Sequence, residues 1–159
     1  MSSENEQLIE RFYGAFAQKD GATMAACYAP DVHFHDPVFQ DLHGDQAGAM
    51  WRMLTARATD LRIELLEHEA DAERGSAHWR AHYTFAQTGR PVVNDVRASF
   101  RFRDGLIADH HDEFSFYRWA RQALGPSGLL LGWTPIVQSA VRRRARAGLD
   151  EFLAEQQAG

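Results

Sequence analysis

Residues 33–37 read His-Phe-His-Asp-Pro, and residues 110–113 read His-His-Asp-Glu. Each run puts a titratable side chain on an alternating segment, where a strand can aim it. Proline disfavours helix in the residue before it and cannot donate to a sheet ladder. Asp36 is therefore expected in extended backbone, at the end of a short strand from Val32 to His35. A carboxylate carried into an apolar cavity is pushed toward its neutral form, which tunes it for proton transfer near neutral pH. Phe12, Phe34, Trp51, Trp79, Tyr83, Phe100 and Phe114 are the rings expected to line that cavity and hold a small hydrophobic molecule.

His110 and Asp112 form the second candidate centre. Alternation sets both on the face that carries Phe114, about 7 Å apart by strand rise. A direct bond between them requires their side chains to lean together. A carboxylate beside a histidine fixes its tautomer and raises its basicity. Asp36, His110 and Asp112 are thus the candidate catalytic residues, giving two proton-transfer centres in one pocket. Tyr13, Tyr28, Tyr83 and Trp79 can each donate a hydrogen bond to a ligand oxygen. Of these, Tyr83 and Trp79 have a strand position that points inward.

Other polar clusters read more plainly. His33-X-His35 and His78-X₃-His82 each put two imidazoles on one strand face, opposite the apolar residues. A zinc site needs three or four converging ligands, so no metal and no cofactor are expected. Those histidines are read as facing solvent or a dimer partner. The lone Cys27 excludes an intrachain disulfide and reads as a small buried residue. Arg142, Arg143, Arg144 and Arg146 read as a solvated or ion-paired helix face, with RNA or acidic-lipid contact as the lesser alternative, and the net charge of −5 argues against nucleic acid. Met1 to Gln7 is polar, and the longest apolar run, Gly128 to Trp133, is too short to span a bilayer. A cytoplasmic homodimer with no nucleic-acid or membrane partner is expected.

The positioning elements follow from periodicity. The chain has 159 residues, 45% of them hydrophobic and 11% aromatic, enough for one core and a ring-lined cavity. Leu8, Ile9, Phe12 and Phe16 fall at helical spacing, with Ser2 or Ser3 as cap and Asp20-Gly21 as stop. A short helix over Ala22–Tyr28 and a third over Gly44–Arg57 follow. The period then changes to two. Leu61 to Leu65, Trp79 to Phe85, Val96 to Arg103 and Ala108 to Phe116 read as four half-buried strands with turn residues between them, an antiparallel meander. Beyond Tyr117 come a helical turn over Trp119–Leu124, an apolar glycine-rich segment to Trp133, and a helix from Thr134-Pro135 to about Glu155. Helices followed by a strand run predict an α+β fold: a cone-shaped barrel of curved sheet wrapped on the N-terminal helices, with an added C-terminal helix. The expected units are a cone domain over 1–117 and a helical extension over 118–159 packed on it. The 124–133 segment is expected to act as a lid or as a dimer interface.

Arg11-Phe12, Tyr28-Ala29-Pro30-Asp31, Asp36-Pro37-Val38 and Phe100-Arg101-Phe102 before Asp104-Gly105 together resemble the nuclear transport factor two-like superfamily. That superfamily includes the ketosteroid isomerases and the SnoaL-like polyketide cyclases. Gly105-Leu106-Ile107, His110, Asp112, Phe114 and Tyr117-Arg118-Trp119 resemble a SnoaL-like subgroup without an agreed activity. The resemblance implies that Asp36 stands where the isomerases carry their general base. The isomerase oxyanion hole, a Tyr and a protonated Asp, falls on Phe12 and Ala98, so both donors are missing. The epoxide hydrolases of the superfamily need an inward arginine, whereas alternation turns Arg97 and Arg101 outward. Three function classes remain: a cofactor-independent isomerase, cyclase or lyase acting on a hydrophobic carbonyl compound, a ligand-binding protein, and a dimeric scaffold.

Overall fold

The computed structural model describes residues 3–158. Three helices open the chain around its first strands: α1 (Glu4–Ala17), α2 (Gly21–Ala26), β1 (Tyr28–His35), β2 (Leu42–His43) and α3 (Asp45–Arg57). The strands β3 (Arg62–Ala70), β4 (Arg74–Phe85), β5 (Arg90–Arg103) and β6 (Leu106–Glu113) follow, and then α4 (Phe116–Leu124), α5 (Pro126–Leu131) and α6 (Pro135–Ala158). The strands form one curved, unclosed sheet in the order β2-β1-β6-β5-β4-β3. This is an α+β fold with N-terminal helices and a C-terminal helix.

Strands β3 to β6 pair as an antiparallel meander. Strand β1 departs from that pattern, because it pairs with β6 in parallel. Asp104 and Gly105 both take positive φ, 54° and 75°, the geometry of the tight hairpin turn that Asp-Gly favours. Alternation along β5 is clean: Val96, Ala98, Phe100 and Phe102 are buried, while Arg97 and Arg101 are exposed. Both arginines therefore point outward. On β3 the register slips between Leu65 and Glu67, and Leu66 is turned outward as the alternation changes phase.

Helix α1 starts at Ser3, whose Oγ accepts the Glu6 N–H at 3.1 Å; Ser2 lies outside the described residues. Its end differs from the Asp20-Gly21 stop. Lys19 takes the left-handed conformation, and Asp20 instead caps α2 by accepting the Thr23 N–H. Gly21 is needed for close packing, since a Cβ there would fall 2.7 Å from the Arg52 Cα of α3. Helix α2 stops at Ala26, so Tyr28 belongs to β1 rather than to the helix. Strand β6 ends at Glu113, because the Ser115 Oγ accepts the Arg118 N–H and starts α4. Phe114 thus lies just past the strand, and Phe116 opens the helix.

The main core gathers Leu8, Ile9, Phe12 and Phe16 of α1 with the inner residues of the sheet. Helix α6 packs on α3, and its Leu149 is fully buried in that same core. No described helix is long and apolar enough to cross a membrane.

Candidate active site

Asp36 follows the last residue of β1 and closes its own turn. Its Oδ1 accepts the backbone N–H of Val38 at 2.7 Å and of Phe39 at 2.5 Å, and its N–H donates to the Phe39 carbonyl. The same carboxyl lines a cavity of about 370 Å³, within the size range of small-molecule sites. Burial pushes the Asp36 carboxyl from 3.8 up to about 7; the Phe39 and Val38 N–H bonds hold it back, and the charge of Asp112 adds to the rise. A carboxyl poised near 7 can hold or take a proton at neutral pH.

Asp112 lines the same cavity from β6. Behind it runs a buried chain of hydrogen bonds. The Trp51 indole N–H donates to the Tyr28 hydroxyl at 2.7 Å. That hydroxyl lies 2.7 Å from His110 Nδ1, and His110 Nε2 lies 2.9 Å from Asp112 Oδ1. An indole can only donate, so the Tyr28 oxygen accepts from Trp51 and its own proton goes to His110 Nδ1. His110 Nε2 then carries a proton and donates it to Asp112. His110 and Asp112 therefore do lean together. His110 is fully buried, packed between the rings of Phe12, Phe34, Trp51 and Phe100.

The third feature is a pair of donors. The Trp119 indole N–H of α4 donates to the Tyr83 hydroxyl at 2.8 Å. That is the only hydrogen bond of the Tyr83 hydroxyl among the described residues, so its proton is free for a ligand. Burial pushes the Tyr83 phenol up, the Trp119 bond holds it back, and the charge of Asp36 raises it further. Trp79 also lines the cavity, and its buried indole N–H has no partner among the described residues.

Of the seven expected ring residues, Trp51, Trp79, Tyr83 and Phe114 line the cavity. Phe12, Phe34 and Phe100 instead form the packed floor around His110. Asp36 and Asp112 reach the cavity, whereas His110 stands behind Asp112. Tyr28, expected at the end of a helix and as a donor to a ligand, lies on β1 and donates to His110 instead. Trp119 on α4, and Val141, Arg144 and Ala145 on α6, wall the cavity from segments read only as an extension. Val137, Val141 and Leu149 repeat at helical spacing and so mark an inner face of α6, but spacing does not say what that face covers.

The remaining histidine clusters resolve into histidine–carboxylate contacts. His33 meets Asp41 and Asp109, His78 meets Asp95, and His82 meets Glu64. Among the described residues no group of three or more histidine, cysteine or acidic side chains is placed to hold a metal. Cys27 is fully buried, and burial pushes its thiol up.

The chain matches the SnoaL-like domain over residues 9–110, and it belongs to that family. The match ends before α4, so α4, α5 and α6 lie outside it. Solved structures share the fold. An NTF2-like protein of unknown function from Burkholderia pseudomallei is 22% identical, with a TM-score of 0.66 over 76% of this chain and 97% of that one. A candidate polyketide cyclase from Xanthomonas campestris pv. campestris is 23% identical, with a TM-score of 0.64 over 75% and 96%. A protein with a ketosteroid isomerase-like fold from Catenulispora acidiphila, solved with trimethylamine, is 14% identical, with a TM-score of 0.67 over 80% and 97%. Among curated proteins none matches.

Proposed function

We propose that the cavity binds a hydrophobic carbonyl compound and moves a proton on it without a cofactor. Asp36, as carboxylate, takes the proton from the carbon beside the carbonyl. The electrons of that C–H bond pass into the carbonyl and leave an enolate oxygen. The Tyr83 O–H donates to that oxygen, standing in for the donors lost at Phe12 and Ala98. Returning the proton to a second carbon completes an isomerisation, and attack of the enolate carbon on a second carbonyl of the substrate, whose oxygen then takes the proton back from Asp36, completes a ring closure. Asp112, held by His110, is the second acid-base group at the same cavity.

The observation that carries this reading is the arrangement of Tyr83. Its oxygen accepts from the Trp119 indole, its proton has no acceptor among the described residues, and it sits in one cavity with a carboxyl poised near 7. The candidate cyclase from Xanthomonas campestris, similar in fold, is consistent with a carbonyl substrate. The open cavity speaks against a scaffold, whose cone large side chains would fill.

The test is a thermal-shift panel of hydrophobic ketones, phenols and lactones. A ligand that binds the folded state raises the melting midpoint. Shifts that shrink in Tyr83→Phe and change in Asp36→Asn support the reading. A panel that shifts neither wild type nor variants removes it, and shifts indifferent to both substitutions leave a binding protein that makes no use of these groups.

A further inference from the structure

The charge of this chain is divided. Residues 114–149 hold six arginines and no acidic residue or lysine, while the rest holds eleven basic and twenty-two acidic residues. This basic segment carries the most exposed large apolar side chains among the described residues. Leu129, Leu130, Leu131, Trp133 and Ile136, on α5 and the start of α6, are each between 50% and 80% exposed. The expectation of no membrane partner rests on net charge and on the lack of a spanning segment; neither describes this local distribution.

The tip is built rigidly. Gly128 lets α5 press against α4, since a Cβ there would collide with the Ala120 carbonyl. The Tyr117 hydroxyl donates to the Leu129 carbonyl at 2.8 Å, and the Trp133 indole donates to the Leu130 carbonyl at 3.1 Å. The leucines are thereby presented to solvent although the core is close at hand. Arg121 lies over the Tyr117 ring at 5.9 Å, which puts a guanidinium beside the apolar tip. Arg143 shares the exposed face of α6 with Ile136, seven residues apart. Among the described residues Arg118, Arg121, Arg143 and Arg144 make no ion pair.

We propose that the α5 tip docks on an anionic lipid surface. Leucine, isoleucine and tryptophan enter the boundary between headgroups and acyl chains, and the flanking arginines meet lipid phosphates. Tyr117 and Trp133 have the amphipathic rings that settle at that depth. A second copy of the chain fits less well. Pairing this face with itself sets Arg118, Arg121 and Arg143 against their own copies, a like-charge contact that costs affinity. Aliphatic side chains also suit acyl chains better than nucleic-acid bases, which stack on aromatics. The two helices that α5 joins both wall the cavity, through Trp119 and Val141, so the docked tip and the cavity share a frame. Docking itself does not depend on the chemistry proposed for Asp36.

Trp133 supplies the probe. Trp51, Trp79 and Trp119 are buried and Trp133 is exposed, so a blue shift of intrinsic emission reports the tip. The full chain is mixed with phosphatidylcholine vesicles containing about one-third phosphatidylglycerol, and with vesicles of phosphatidylcholine alone. The expected result is co-sedimentation and a blue shift with the anionic vesicles, weakened by salt. Leu130→Glu abolishes both while keeping the wild-type melting curve. Arg121→Gln and Arg143→Gln each weaken partitioning about fivefold. No co-sedimentation, or equal binding to both kinds of vesicle, overturns the proposal. So does a concentration-dependent dimer that Leu130→Glu breaks while anionic vesicles leave the emission unchanged.

Discussion

Replacing Asp36 with asparagine should stabilise the protein, and by an amount that grows with pH. The Asp36 carboxyl is raised from 3.8 to about 7 in the fold, while in the unfolded chain it ionises near its ordinary value. Between those limits the folded state holds a proton that the unfolded state has lost, so raising pH favours unfolding. The stability that Asp36 contributes is fully present below about 4 and lost as pH rises through about 7. A difference of about 3 units at about 1.4 kcal/mol each gives about 4 kcal/mol in total. Asparagine keeps an Oδ1 that can accept the Val38 and Phe39 N–H groups, so the turn survives and the ionisation cost disappears. The assay is urea denaturation of both proteins between about pH 4 and pH 8.5, with the difference in unfolding free energy plotted against pH. The curve should rise through pH 5 and 6 and level off above about 7. A flat difference, or a variant that loses stability relative to wild type as pH rises, would refute the buried-acid assignment.

Two further substitutions probe the groups around it. Tyr28→Phe strips the Trp51 N–H and His110 Nδ1 of their shared partner in a sealed environment; leaving two buried groups unsatisfied costs about 2–5 kcal/mol, measurable by urea denaturation. A loss under about 1 kcal/mol would mean that the Trp51–Tyr28–His110 chain is not formed in solution. Tyr83→Phe removes one donor to the developing oxyanion; once a turned-over ketone is in hand, kcat should fall about 10²–10³-fold with KM little changed. A rise in KM at constant kcat would instead make Tyr83 a binding group.

Much of the frame was legible because it follows from short-range pattern. The alternation of Val96, Ala98, Phe100 and Phe102 against Arg97, Ser99 and Arg101 gave β5 and its inner face directly. Pro37 marked where β1 ends, which is why Asp36 could be singled out. Tyr28 was misread because Ala22 to Cys27 run on as good helix formers, and the pairing that claims Tyr28 for β1 comes from Ile107, far along the chain. Phe114 and Phe116 continue the strand period, yet Ser115 caps a helix between them, and a local cap outweighs two residues of alternation. The Tyr28–His110 bond joins residues 82 apart, and the Trp119–Tyr83 bond joins residues 36 apart. No local pattern encodes such meetings; they depend on how α3 and α4 close over the sheet.

The central claim is that Asp36 removes a proton from carbon in this cavity. It is tested by following deuterium uptake at the carbon beside the carbonyl of a bound hydrophobic ketone in heavy water, by NMR, for wild type and for Asp36→Asn. The account predicts exchange catalysed by wild type, rising with pH through about 7 as the Asp36 carboxyl ionises, and lost in the variant although the ketone still binds. Exchange at the same rate in Asp36→Asn, or a bound ketone that never exchanges in wild type, would contradict it.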